Sequence, residues 1–507
     1  ARQDFIVHKL IPEMKLFKEK TGIDLRVSGM PYIRTMNAQT IISEIGLFIG
    51  MSLLVTCLLF YFFFRSFKAT LISLLIVVIG VMWSFGTLGL LHYEITVLTA
   101  IIPPLIIVIG IPNCIFLINK YQSEIRNHGN KAKSLQRVIS KVGNSTLMTN
   151  LTTAAGFGTF IFTDSKLLKE FGVVASLNIV FLFFLCLIII PIAYSYLPLP
   201  KEKHLAHLGK NYMASFLNWI ENTIRYRRVT IFAFVISLLV LGVIGINKIK
   251  VSGSIIEDMP KKAPFFKDII FYEQEFDGVM PLEIVVDTKR PKGALKSSTL
   301  SRIEELQETI EEIPELSKPV SIVNVVKYSK QAFYNGNPDF YELPTKQEEA
   351  FILSYIKNSV QKGNENMLKS YVDSTGRYAR ITTFMRDIGT DKMEKIEVRL
   401  QDKINHIFPK ERYEVTLTGK AYVFEKGTHY LIGNLVQSLL FAILLIALLM
   451  AYLFRSFKMI IVSLIPNLLP LIMTAGLMGY FGIPIKPSTI LVFSIAFGIS
   501  VDDTIHF

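Results

Sequence analysis

The sequence predicts a multi-span α-helical membrane protein with a pseudo-twofold repeated bundle, joined to an α+β extracytoplasmic domain of split βαβ type. Three observations lead there: recurrent apolar runs of about 20 residues, an internal repeat, and a soluble-patterned segment at 248–428. Of the 507 residues, 51% are hydrophobic and 19% are charged, whereas soluble domains carry about 25% charged residues. The composition therefore excludes a purely soluble globular protein.

Nine apolar runs are long enough to cross a hydrocarbon layer about 30 Å thick, which needs roughly 20 helical residues. Runs such as 53–64 are apolar on every side, whereas a helix in a soluble core keeps a polar stripe at a period of about 3.6 residues. We therefore predict spans at about 41–64, 69–91, 96–118, 145–163, 171–197, 229–247, 430–454, 459–481 and 487–507.

The positive charge lies in the short connections between these runs. The net charge is +13, but segment 248–428 is nearly neutral, so no nucleic-acid partner is expected. Because Lys and Arg concentrate in cytoplasmic loops, residues 1–40 and 248–428 are predicted on the opposite side of a cytoplasmic (inner) membrane.

These patterns predict an order of domains in a chain that we interpret as an internal piece of a longer protein. The predicted order is 1–40, the end of a first extracytoplasmic domain; 41–197, a first membrane repeat of five spans; 198–228, a cytoplasmic amphipathic connector; 229–247, the span that opens the second repeat; 248–428, a second extracytoplasmic α+β domain; and 429–507, a truncated second membrane repeat.

The internal repeat has an offset of 390 residues. It superimposes "FRSFK" at 64–68 on "FRSFK" at 454–458, and Gly86 and Gly89 on Gly476 and Gly479, without a gap from 28 to 117. Each copy is predicted to be an extracytoplasmic strand followed by three spans. Parallel repeats related by an axis along the membrane normal are an arrangement found in transporters.

The segment 248–428 has the patterns of an α+β domain. "LEIVVDT", "ARITTFMRD" and "YEVTLTG" predict strands, and "STLSRIEELQETIEEI" and "KMEKIEVRLQDKINHIF" predict helices, so split βαβ units are expected. The first residues of the chain, a helix through Lys18 and then "IDLRVSG", are predicted to match the end of this segment.

The last span carries the residues with the clearest chemistry. Asp502 and Asp503 lie in the apolar pattern "FGISVDDTIHF", where a charged carboxylate costs at least about 2.5 kcal/mol. His506 is close enough along a helix to approach either acid. Burial favours proton uptake and release near neutral pH, which a proton relay needs. The alternative is that the acids lie at a solvated helix end, with His506 making a structural hydrogen bond.

A polar strip enters the predicted span at 145. Its side chains could solvate a proton path, or they could make the interhelical hydrogen bonds common between membrane helices. Pro466 and Pro470 are predicted to break a helix, as a hinge or as static curvature. The strip comprises Thr146, Thr149, Asn150, Thr152 and Thr153.

"FGISVDDTIHF", "IPNLLPLIMTAGLMGYFGIPIKPSTILVFSIA" and "LMTNLTTAAGFGTFIFTDSKLLKEFGVVASL" resemble the resistance-nodulation-division (RND) superfamily of exporters, in its MMPL and Patched-like branch with a sterol-sensing-type (SSD) membrane core. The resemblance implies twelve spans and two porter-like extracytoplasmic domains, of which this chain covers spans two to ten. It also implies proton antiport that drives efflux of hydrophobic or amphipathic substrates, with acids in the fourth and tenth spans. Asp502 matches the tenth-span acid, and Asp503 extends it as the Patched-like paired acid.

The sequence departs from that family pattern in the first repeat. The 390-residue offset superimposes Asp502 and Asp503 on Pro112 and Asn113. Asn does not titrate, and Pro112 removes a backbone hydrogen bond and is expected to kink or hinge its helix. The relay is therefore predicted to rest on the second repeat, with Asn113 as a hydrogen-bonding neighbour of the acids.

Two functions remain open at this point. The first is a proton-driven exporter of lipid-like substrates, and the second is a sterol or lipid sensor without net transport; a motor that assists protein export is a third. Expected partners are membrane lipids, protons and a hydrophobic small-molecule or lipid substrate, with a homo-oligomer or accessory envelope proteins left open. No Walker motif, enzyme signature, cofactor site or metal site is recognised, and Cys57, Cys114 and Cys186 lie within apolar runs.

Overall fold

A computed structural model describes residues 2–96, 98–199, 211–250, 253–254, 256, 259–352, 354 and 369–506. The chain divides into two compact units. The first combines Ala1–Asn37 with Val251–His429, and the second combines Ala38–Lys250 with Tyr430–Phe507. The first carries the β-sheet and the second carries the apolar helices.

The longer helices are, in chain order, α1 (Ile11–Thr21), α2 (Met30–Phe64), α3 (Phe67–Leu90), α4 (Ile102–His128), α5 (Lys131–Arg137), α6 (Gly143–Gly158), α7 (Lys166–Tyr196), α8 (Asn211–Tyr226), α9 (Arg228–Ile246), α10 (Pro264–Glu275), α11 (Ser297–Glu311), α12 (Ile322–Phe333), α13 (Thr390–Ile407), α14 (Lys420–Phe454), α15 (Phe457–Phe481) and α16 (Pro487–His506). The strands are β1 (Met280–Asp287), β2 (Tyr378–Met385) and β3 (Glu414–Gly419).

Within the described residues, seven helices are long and apolar enough to cross a membrane. They correspond to α2, α3, α4, α7, α9, α14 and α15. The predicted multi-span helical architecture is therefore confirmed.

The two other predicted spans, at 145–163 and 487–507, are not among these seven helices. α6 has 16 residues and continues as a 3₁₀ turn at Thr159–Phe162. Its threonines return hydrogen bonds to their own helix, as Thr152 Oγ1 does to the Thr149 carbonyl at 2.7 Å, and these hydroxyls lower its hydropathy. In α16 the described apolar stretch is Ser488–Ser500.

The first helix of the repeat and the turn that follows it have the same backbone in both copies. α2 and α14 each contain 35 residues. The arginine that follows each helix adopts the left-handed conformation, with φ of 48° at Arg65 and 49° at Arg455. Ser66 and Ser456 then begin the next helix from an extended conformation. The FRSFK motif is thus the same turn between two membrane helices in each half.

The two copies differ in how their paired glycines pack. A Cβ added at Gly476 would lie 2.6 Å from the Gly242 Cα, and one at Gly245 would lie 2.3 Å from the Gly476 carbonyl oxygen. α9 and α15 therefore touch backbone to backbone, which only small residues allow. At Gly86 and Gly89 an added Cβ meets no atom of the described chain within 4 Å.

The helix break predicted at Pro466 and Pro470 is not observed, and the helix that Pro112 was predicted to kink is also continuous. Pro466 and Pro470 lie inside the uninterrupted helix α15, and Pro112 lies inside α4. A proline deletes one backbone hydrogen bond, but the bonds on either side remain, and an apolar environment penalises any further unpaired backbone group. A hinge role for the three prolines stays a prediction.

The sheet of the first unit has strand order β2-β1-β3, with β1 antiparallel to both neighbours. β2 and β3 are therefore parallel, joined through α13 and separated by β1, which is the predicted split βαβ unit. Alternate residues of β1 point into the core, as its burial pattern shows. Ile284, Leu300 and Leu400 are among the side chains buried between the sheet and its helices.

One predicted strand is absent. Residues 22–29, which contain "IDLRVSG", form no strand with the described residues. The Val27 N–H instead donates to the Asp268 carboxylate at 3.4 Å. β3 is a strand because β1 lies beside it, whereas no described strand lies beside 22–29. Of the predicted connector 198–228, the structure shows α8, and residues 200–210 lie outside the described part.

Candidate polar site in the membrane bundle

The predicted polar residues of the first repeat lie on two neighbouring helices. Asn113 lies on α4, and Thr146, Thr149, Asn150 and Thr153 lie on α6. Each of these side chains is at most 5% exposed. Such buried polar groups need hydrogen-bond partners, and these partners define the site.

Asn113 and Asn150 form a reciprocal amide pair. Asn113 Nδ2 donates to Asn150 Oδ1 at 2.9 Å, and Asn150 Nδ2 donates to Asn113 Oδ1 at 2.9 Å. Asn150 Nδ2 also donates to the Thr146 carbonyl at 2.7 Å. The pair joins α4 to α6 without a net charge, so it needs no counterion in an apolar environment.

The threonines divide into those that bond their own helix and one that reaches another. Thr149 Oγ1 donates to the Thr146 carbonyl at 2.9 Å. Thr153 Oγ1 lies 3.0 Å from the Thr149 carbonyl and 3.1 Å from the Gly498 carbonyl of α16. Thr146 Oγ1 is buried and has no hydrogen-bond partner among the described residues.

α16 packs against α6 through small and aromatic residues. A Cβ added at Gly156 would lie 3.6 Å from the Gly498 Cα, and one at Gly498 would lie within 4.0 Å of Phe157. Gly156 is therefore a close-packing position, as its neighbours on the other helix are also small. The structure places the helix that carries the acids directly beside the polar strip.

The helix α16 continues through Asp502, Asp503 and His506, whose side chains lie outside the described residues. The structure therefore brings together Asn113, Asn150 and the threonines, and it places the backbone of the acids on the adjoining helix. The hydrogen bond predicted between Asn113 and the acids stays a prediction.

One buried polar contact was missed by the sequence reasoning. Asn178 lies within the apolar helix α7 and is 2% exposed. Its Nδ2 donates to Thr87 Oγ1 of α3 at 2.8 Å and to the Val174 carbonyl at 2.7 Å. The signal was the single amide in the run "ASLNIVFLFFL", since a lone polar residue in a membrane helix marks an interhelical contact.

The described residues include no group of three or more His, Cys, Asp or Glu side chains able to hold a metal ion. Cys114 and Cys186 are buried free thiols with their sulfur atoms 3.8 Å apart.

Comparison with known proteins adds the family. The sequence profile of the MMPL family matches residues 7–197 and 260–505, which is most of the chain and includes both membrane repeats. This chain belongs to the MMPL family. The assignment agrees with the resemblance seen in the sequence and makes the protein a multi-pass membrane protein of the RND type.

Two curated relatives are similar to this MMPL protein. A protein of Methanocaldococcus jannaschii described as a membrane protein is 25% identical over 189 residues, which are 37% of this chain and 48% of the relative. The apo-petrobactin exporter of Bacillus anthracis is 25% identical over 382 residues, 68% of this chain and 48% of the relative. The chain thus spans about half the length of the curated relatives it matches.

Proposed function

We propose that this chain is the core of a proton-driven secondary transporter that exports hydrophobic or amphipathic, lipid-like substrates and catalyses no covalent chemistry. The observation that carries the proposal is the contact between α6 and α16. It brings the helix containing Asp502 and Asp503 beside a strip of buried hydroxyl and amide groups. A relay needs a titrating group and polar neighbours that accept or supply its proton.

Asp502 is the residue that we expect to titrate. It follows Gly498 by four residues, so the helical period puts both positions on the same side of α16. The Gly498 carbonyl lies 3.1 Å from the Thr153 hydroxyl of α6. We therefore expect the Asp502 carboxylate to approach α6 one turn farther along, with Asp503 on an adjacent face and His506 within reach of both.

Two groups on the first repeat would serve the acids without titrating. The Thr146 hydroxyl lacks a partner among the described residues and would bind a carboxylate or a water molecule. The Asn113 amide retains one further N–H and one acceptor lone pair beyond its bonds to Asn150. The relay is asymmetric because the first repeat supplies hydrogen bonds and the second supplies the acids.

The proton gradient supplies enough free energy for export. One charge that crosses 100 mV provides about 2.3 kcal/mol, which corresponds to about fiftyfold accumulation at one-to-one coupling. Protonation of a carboxylate removes its desolvation cost, so loading and release of the proton would favour different packings of the two repeats. Cationic connections support a cytoplasmic membrane location with the sheet-containing unit outside.

The direction of transport is inferred from one relative, and the class of substrate from the apolar helices of this chain. The relative from Bacillus anthracis is named as an exporter, and the apolar helices of this chain offer a route for a molecule that is itself partly apolar. A sensor of the sterol-sensing type would use the same bundle without any need for a titrating acid.

Reconstitution of the full-length protein tests the proposal. The Asp502→Asn variant should lose substrate-driven proton flux in liposomes that contain a pH-sensitive dye, because an amide cannot carry the proton. The variant Glu94→Gln changes an exposed loop carboxylate in the same way and should keep the wild-type flux. Undiminished flux in Asp502→Asn would exclude this relay, and binding of lipid without any flux in the wild type would favour the sensor.

A further inference from the structure

The membrane unit contains a second polar site, at the end of the bundle where the FRSFK turn lies. A cavity of about 390 Å³ is bounded by the ends of α2, α3, α4 and α7. Tyr61, Arg65, Lys68, Gln122 and Tyr194 are among its lining residues. It is separate from the Asn113–Asn150 pair, and the proposed proton relay does not use it.

The charges of the cavity are suited to an anion. Among the described residues, none forms an ion pair or a side-chain hydrogen bond with Arg65 or Lys68. α3 begins at Phe67, and its N-cap Ser66 makes no side-chain capping bond. The first backbone N–H groups of a helix lack intrahelical acceptors and carry partial positive charge. Two cations and an uncapped helix start therefore line one cavity.

Two buried polar side chains in the cavity wall lack hydrogen-bond partners. Gln122 is 2% exposed and Tyr194 is 6% exposed. Gln122 Oε1 and the Tyr194 hydroxyl bond to no group of the described chain. A buried acceptor without a donor costs about 1 to 3 kcal/mol, and a ligand with its own hydroxyl groups would offset that cost.

An apolar groove adjoins the cavity on α2. It is an open surface formed by this end of α2 alone, with Val55, Leu58, Leu59 and Phe62 together with Tyr61 and Arg65, which also line the cavity. Phe62 is 72% exposed and Leu58 is 61% exposed. An anionic cavity ligand could thus extend an apolar chain along α2 without leaving the surface of the helix.

We propose that this cavity and groove bind one anionic phospholipid whose headgroup carries hydroxyl groups. The phosphate lies against Arg65, Lys68 and the start of α3, a headgroup hydroxyl bonds to the Gln122 side-chain amide, and an acyl chain follows the groove. Cationic residues next to membrane helices attract anionic lipid. The uncompensated polar atoms of this cavity distinguish a defined site from that general attraction.

Native mass spectrometry of the full-length protein, with phosphatidylglycerol titrated into detergent micelles, measures this binding without a proton gradient. The result is therefore independent of the proposed transport function. The double variant Arg65→Gln/Lys68→Gln should lower the affinity for phosphatidylglycerol by about thirtyfold, as expected when two cations leave an anionic headgroup. The variant Arg228→Gln removes an exposed cation at the start of α9 and should bind like the wild type.

Two further measurements identify the parts of the lipid. The variant Gln122→Leu should weaken binding of phosphatidylglycerol but not of phosphatidic acid, which has no headgroup hydroxyls. Phosphatidylcholine should bind more weakly than phosphatidylglycerol, and inorganic phosphate should not displace the lipid.

Three results would overturn the proposal: unchanged affinity in the double variant, an equal loss in Arg228→Gln, or equal binding of phosphatidylcholine. Displacement of phosphatidylglycerol by inorganic phosphate would instead assign the cavity to a free anion and would also reject the lipid site.

Discussion

Asn113 and Asn150 exchange two hydrogen bonds between neighbouring helices, and each is at most 5% exposed. Asn113 was predicted from the repeat as a neighbour of the acids, which stays a prediction, and among the described side chains it pairs with Asn150. Both residues were recognised in the sequence as polar groups within apolar spans. Their pairing with each other was not predicted, because it depends on how α4 and α6 are rotated against each other.

Removal of one amide should cost more than removal of both. Asn150→Leu leaves two buried polar atoms of Asn113 unpaired, so we expect a loss of about 1 kcal/mol or more in the free energy of unfolding. In the double variant Asn113→Leu/Asn150→Leu no unpaired amide remains at these two positions, and part of the lost unfolding free energy should be recovered. Denaturant unfolding of the four proteins of this double-mutant cycle in detergent measures the coupling. Strictly additive losses would show that the pair contributes no interaction energy.

In the sheet-containing unit, Lys330 is 2% exposed and lies 2.9 Å from both Glu342 and Glu348. Glu348 also accepts from the Thr345 N–H at 2.9 Å and from the Tyr334 hydroxyl at 2.7 Å. The Thr345 N–H, followed by Lys330 and Tyr334, lowers the pKa of Glu348 from 4.5 to about 2. The charged form of this carboxylate therefore stabilises the folded state.

Because the folded pKa of Glu348 is the lower one, its contribution to stability is present above pH 4.5 and is lost as the pH falls toward about 2. Hydrogen exchange of α12 measures the effect: protection should decrease over this interval in the wild type. Glu348→Gln should lack that part of the pH dependence, and Glu349→Gln should behave like the wild type. An identical acid profile in Glu348→Gln would contradict the assignment.

At the scale of elements, hydropathy and periodicity predicted the helices and strands well. All three strands and both helices predicted from the segment 248–428 are present in the structure. The strand predicted within 22–29 is absent because a strand needs a neighbour for its backbone groups, and its pattern alone does not provide one. The helix break predicted at Pro466 and Pro470 is absent because an apolar environment preserves the remaining hydrogen bonds of α15.

The contact between α9 and α15 depends on glycine at four positions. Gly476→Ala would put a methyl group 2.6 Å from the Gly242 Cα, and the two helices would have to separate. We expect a loss of about 1 to 3 kcal/mol in the free energy of unfolding. At Gly433 of α14 an added Cβ meets no described atom within 4 Å, so Gly433→Ala is the matched control and should not destabilise. Unfolding in detergent compares the two, and equal stability of both variants would contradict the close contact.

At the scale of the whole molecule, the 390-residue repeat organises the membrane unit. The two copies share the length of their first helix and the left-handed arginine at the turn. They differ in the residues to which the proposed function assigns a role. One copy has Pro112 and Asn113 where the other has Asp502 and Asp503. They also differ in packing, since the glycines of α15 contact α9, whereas a Cβ added at Gly86 or Gly89 would meet no other part of the described chain within 4 Å. A duplicated backbone thus carries two different sets of side-chain contacts.

The sequence by itself determined the membrane class, the order of helices and strands, the repeat and the family resemblance. These follow from hydropathy, from the spacing of apolar residues and from short motifs, all of which are visible in the sequence without knowledge of which helices are neighbours. Only the tertiary structure decided which polar groups meet. Thr153 and Gly498 are 345 residues apart, and the cavity joins Arg65 to Gln122 from different helices. Such contacts depend on the rotation and packing of helices against each other, and the side-chain periodicity of a single helix does not specify its neighbour.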